Sequence, residues 1–112
     1  MSILSELNAL LDALGLPMET GVFSGKAPDE YVVITPLADT FAVHADNRPQ
    51  FETQEARLSL FCKGNYIKRK NQIVKLMLDN DFTITDRLYV GHEDDTGYHH
   101  FATDVAKNYR LE

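Results

Sequence analysis

The chain is 112 residues long, 44% hydrophobic and 25% charged, which is enough for one globular core and too short for two. Seventeen acidic against eleven basic groups leave a formal charge of −6, which repels nucleic-acid phosphate over most of the surface and disfavours general DNA binding. No apolar run approaches the roughly 20 residues that cross a bilayer, and Cys62 is alone, so neither an intrachain disulfide nor a cysteine-rich zinc site is available. The apolar positions near the N-terminus are interrupted by Ser5, Glu6, Asn8 and Asp12, unlike a signal peptide. The expectation is a chain made and kept in the cytosol, its one thiol a small buried side chain.

Ile3, Leu4, Leu7, Leu10, Leu11 and Leu14 recur at three- and four-residue spacing, which puts six apolar side chains on one helical face. Ser2 caps this helix, and Gly15 and Pro17 stop it after Leu14. From Met18 the period changes: "GVFSG" reads as a short strand, "KAPDE" as a turn, and "YVVIT" as a β-branched strand that Pro36 ends. "FAVHA" reads as a third strand or an extended arm, followed by the turn-forming "DNRP". The segment "QFETQEARLSLFCK" alternates, with Ala56, Leu58, Leu60 and Cys62 on one side and Arg57, Ser59 and Phe61 on the other.

Asn65 then caps a second amphipathic helix that runs to about Asp79, its apolar period carried by Ile67, Ile73, Val74, Met77 and Leu78. Lys70 falls on that arc and snorkels from its edge, whereas Arg69 and Leu76 fall together on the far side, open to solvent or to another subunit. Lys63, Lys68, Arg69, Lys70 and Lys75 give the acidic chain one basic pole. Leu4, Leu7, Leu11, Leu58, Leu60, Ile67, Val74, Leu78, Phe101 and Val105 are expected to share one core.

The stretch "GHEDDTGYHH" gathers three histidines and three carboxylates in residues 91–100. Pairing "TITDRLYV" with "YHHFATDVAK" around Asp94–Gly97 sets Glu93 opposite Tyr98, Val90 opposite Phe101, Leu88 opposite Thr103 and Asp86 opposite Val105, with Arg87 and Asp104 as an ion pair on the other face. His99 and His100 then point to opposite faces. His92 and His99 become cross-strand neighbours, but zinc takes three or four protein ligands and no third is evident. Turn-tip carboxylates stay wet and near their ordinary pKa, and the chain has no "GxSxG", phosphate loop or "HExxH". The stretch reads as a turn, with no catalytic residue, cofactor or metal assigned.

The order helix, strands, helix and closing hairpin describes a single α+β domain over 1–112: one twisted, mainly antiparallel sheet with two amphipathic helices packed against it and a C-terminal β-hairpin. With its leucine-rich first helix, "APDEYVVI" entering a strand, the open "ADNRPQFETQEARLSLFCKGNY" segment and the closing "GYHHFATDVA" strand, the chain resembles the small tail-completion and tail-terminator proteins of long-tailed bacteriophages and prophages. The resemblance implies a structural role without catalysis. Such proteins assemble as rings, typically of six subunits, in the virion tail or neck after assembly in the host cytoplasm. The ring caps the tail tube, joins it to the head connector, and leaves a lumen through which DNA passes without specific binding. An acidic lumen suits that passage. The loop around Asp46–Pro49 is short beside the tail-terminator members that have long lumenal or contact loops.

A head-to-tail ring contact would join acidic loop residues to the basic pole, with Asp46, Arg48, Glu52, Lys68, Arg69, Lys75 and Leu76 as the candidate interface. The segment Thr40–Glu55 is expected to order only against such a neighbour. Two other readings stand beside this one. A monomeric or dimeric α+β adaptor would bind protein through the "FAVHA" edge or the basic pole, and a metal-dependent hydrolase would be built on His92, His99 and a nearby carboxylate.

Overall fold

A computed structural model describes residues 2–20, 28–45 and 48–111. Local capping chemistry sets the helix ends. In α1 (Ile3–Leu14) Ser2 Oγ accepts from the Ser5 amide and Ser5 Oγ accepts from the Ser2 amide, and Gly15 closes the helix at φ +82°. In α2 (Tyr66–Asp79) Asn65 Oδ1 accepts from the Lys68 amide at 3.2 Å.

Five strands form one sheet: β1 (Met18–Thr20), β2 (Glu30–Ala45), β3 (Arg48–Cys62), β4 (Thr83–His92) and β5 (His99–Arg110), in the order β1-β2-β3-β5-β4. β1 runs parallel to β2 and every other pair is antiparallel, so the chain is α+β with a mainly antiparallel sheet. The expected "GVFSG" strand lies outside the described residues. Pro36 does not end its strand: β2 continues for 16 residues through "FAVHA". Pro36 stands beyond the short β1 pairing and beside a bulge at Leu37, two settings in which a strand tolerates a missing N–H. The segment expected to wait for a neighbour is paired within the chain, Thr40 with Thr53 and Phe41 with Glu52.

The alternation read from β3 is observed, because Ala56, Leu58, Leu60 and Cys62 are all buried under the helices together with Val32, Ile34 and Val105. α1 contributes Ile3, Leu7 and Leu11 to this core, with Leu4 half-buried beside them. α2 sits differently from the expected arc. It buries Ile73 and Met77, packs Leu76 against the core, and leaves Ile67 50% and Leu78 58% exposed. Arg69 fixes this rotation: its Nε and Nη2 reach Glu30 of β2 at 2.7 and 3.4 Å, which turns Leu76 inward and Ile67 outward. Lys70, on the other flank, lies over the Phe101 ring at 5.2 Å.

The closing hairpin keeps the expected register only near its turn. His92 pairs with His99 and Gly91 with His100, but a bulge at Val90 shifts the rest, so that Tyr89 faces Phe101, Leu88 faces Ala102 and Asp86 faces Asp104; a second bulge at Thr85 sets Ile84 opposite Val105. Arg87 therefore loses Asp104, which is held instead by Arg57 of β3 through bonds of 2.8 and 3.0 Å. Leu11→Ala or Leu58→Ala should lower unfolding free energy by about 2–4 kcal/mol in urea titration, through lost transfer energy and the remaining cavity. Leu78→Ala, at an exposed position, should change it by less than about 0.5 kcal/mol.

Candidate interaction surface

The histidine-rich turn is held by its backbone. The Glu93 amide donates to Tyr98 O at 2.8 Å, the Gly97 amide donates to Glu93 O at 2.7 Å, and Gly97 takes φ +82°. His99 meets Tyr66 of α2 with ring centroids 4.9 Å apart and shares a 3.0 Å hydrogen bond with the Tyr89 hydroxyl. His100 points to the face away from the helices and stacks on Phe61 at 4.2 Å. His92 reaches Asp94 at 3.1 Å and lies 4.7 Å from the His99 ring. Among the described residues no group of three or more His, Cys, Asp or Glu side chains is placed to hold a metal ion.

A cleft of about 700 Å³ opens between the start of α2, the start of β2 and the end of β3. Its Arg69 guanidinium is already bound by Glu30 and by Gln72 Oε1 at 3.0 Å, so it is a clamp between α2 and the sheet. Cys62 Sγ lies 3.8 Å from Glu30 Oε2, and burial pushes its thiol pKa up, which disfavours a thiolate nucleophile. Lys68 and Lys75 stand exposed on the outer side of α2.

The other candidate residues lie elsewhere. Asp46 and the Arg48 side chain fall outside what the structure describes, although the Arg48 backbone pairs with Ala45. Glu52 is half-buried and accepts from Gln54 Nε2 at 2.7 Å. It stands ten residues from Cys62 along β3, roughly 33 Å at ~3.3 Å per residue, and α2 begins just past that far end. Glu52 therefore does not meet the basic residues of α2 within one chain, and Leu76 packs against the core.

Sequence reasoning named the "FAVHA" edge, which lies on β2, and missed its counterpart on β4. β4 is an edge strand whose outer side has no strand partner among the described residues, and Leu88, Tyr89 and Val90 are 55%, 40% and 53% exposed there. Among the described residues β1 pairs with β2 only over Val32–Ile34, and beyond that pairing Leu37 and Phe41 are 45% and 61% exposed. The apolar run "LYV" could have drawn attention in the sequence, but the expected hairpin face absorbed it. No protein-family model matches the chain, and no curated protein matches it.

His100 supplies a pH test. Burial lowers its pKa, and its Nε2 is buried without a hydrogen-bond partner among the described residues. The unfolded chain then binds this proton at higher pH than the folded one, so stability from His100 is full above about pH 6.5 and falls on acidification through that value. Urea midpoints of wild type should drop between pH 7 and pH 5 by more than those of His100→Phe.

Proposed function

We propose that the chain is a structural, ring-forming component of a phage or prophage tail, which caps the tail tube and joins it to the head connector. The supporting observation is that, among the described residues, exposed apolar side chains stand on β4 at one lateral side of the sheet and on β2 at the other, an arrangement that suits head-to-tail assembly. The elongated shape, 54 × 25 × 23 Å, supports the same reading, since the 16-residue β2 and 15-residue β3 give the sheet a long lateral side for a neighbour. In this reading the sheet is twisted and each helix lays one apolar stripe on it. The residual acidity then lines a lumen through which DNA passes without sticking.

The open β4 edge also favours a second reading, a small adaptor that takes an extended peptide as an added strand. Disruption of the gene in its phage or prophage separates the two. Tails of uncontrolled length, or heads without tails, together with the protein's presence in purified wild-type particles, are expected. Normal particles without the protein would sink the structural role. Lys68→Glu with Lys75→Glu should leave a folded chain and reduce head joining, because both lysines are exposed and neither pairs with a carboxylate among the described residues.

A further inference from the structure

Exposed large apolar side chains are confined to two places among the described residues. Leu37 and Phe41 lie on β2; the others lie on β4, as Leu88, Tyr89 and Val90, and on α2, as Ile67 and Leu78. Helical spacing puts Ile67 and Leu78 on the same flank as Lys70, which reaches over β5 toward β4, opposite the flank that Arg69 ties to β2. One lateral side of the domain therefore carries a β4–α2 patch and the other a β2 patch.

We propose that the β4 edge of one copy pairs antiparallel with the outer edge of β2 in a second copy, head to tail. This inference rests on the assembly reading above and names its contact. A two-fold contact of β4 with itself would leave Leu37 exposed, whereas one head-to-tail contact covers it together with the β4 patch. Strand direction agrees: β2 and β5 run one way and β3 and β4 the other, so copies in the same orientation bring β4 against an antiparallel β2.

Charge selects the register. Asp39 lies opposite the buried Gln54, which bonds the Ile3 amide of α1, so Asp39 is on the helix side of the sheet. Arg87 lies opposite Thr103, between Phe101 and Val105 of β5, on that same side. Neither forms an ion pair within the chain among the described residues. Setting Asp39 opposite Arg87 also sets Leu37 opposite Tyr89, and both an opposite-charge and an apolar cross-strand pair result. Arg87 is level with Ile34 through Thr103 and Leu58, and Asp39 lies opposite Gln54, so the neighbour is stepped along the strands by the four residues from Leu58 to Gln54. Strands tilted to a ring axis supply such a stagger, whereas an untilted step would build a filament.

The test is a charge swap read by sedimentation of the purified chain. Asp39→Arg alone and Arg87→Asp alone should each weaken self-association about tenfold, and the double variant should recover most of it. Both positions are exposed, so circular dichroism should show unchanged folding. In a Cys62→Ala background, oxidation of Leu37→Cys mixed with Tyr89→Cys should give mixed disulfide dimers. A Tyr89–Tyr89 position dimer as the main product, no recovery in the double variant, or a folded wild-type chain that stays monomeric at the highest attainable concentration would each overturn the contact. Presence in particles is read separately. A particle-bound protein without charge-swap recovery would remove the contact and keep the tail role, and recovery in a protein absent from particles would do the reverse.

Discussion

Both helices have to bury their apolar sides on one face of the same sheet, and the row Ala56, Leu58, Leu60 and Cys62 on β3 is where that burial is concentrated. β3 is the central strand, so α1 reaches it from the β1–β2 side and α2 from the β4–β5 side. Covering the centre with only two helices leaves the lateral strands thinly covered. That distribution, more than any single side chain, leaves apolar side chains exposed on β4 and on β2 among the described residues.

Polar clamps fix how the helices sit on this row. Glu6 of α1 accepts from Lys107 Nζ at 2.6 Å and from the Tyr109 hydroxyl at 2.8 Å, and Lys107 also donates to Asn80 O at the end of α2, at 2.8 Å. Burial and the Glu6 hydrogen bond push the Tyr109 pKa up, so the phenol remains a donor throughout the physiological range. At the other end Arg69 holds α2 to Glu30. The two clamps are made at opposite ends of the core and set the rotation of α2, which decides whether Ile67 and Leu78 face the core or water. The basic pole is thus partly spent internally, and only Lys68 and Lys75 of the candidate interface set are exposed on α2.

The two sheet faces have different chemistry. The helix side is aliphatic, while the opposite face carries an aromatic cluster in which Tyr31 stacks on Phe61 at 4.9 Å, Phe61 stacks on His100, and Tyr98 stands edge-on to Tyr31 at 5.4 Å. Small residues between them, Ser59 and Ala102, are buried with no described helix above them. Such a face is ordered by ring packing across strands and stays compatible with the wet turn at residues 93–97.

By itself the sequence determined the helix limits, the alternation of β3, the turn at Asp94–Gly97 and the opposed directions of His99 and His100, because caps, period-two patterning and glycine at positive φ act over a few neighbouring residues. It also located a basic pole and an acidic segment, as residue identities alone can. The rotation of α2 lay outside its reach: Ile67, Val74 and Leu78 make as good an apolar arc as Ile73, Leu76 and Met77, and the choice falls to the Arg69–Glu30 pair, 39 residues apart. The bulges at Val90 and Thr85 likewise lay outside it, and with them the transfer of Asp104 to Arg57, on a strand that is distant in sequence and adjacent in space. Which strands became open edges was decided last, by sheet order, since no local pattern states which neighbour a strand lacks.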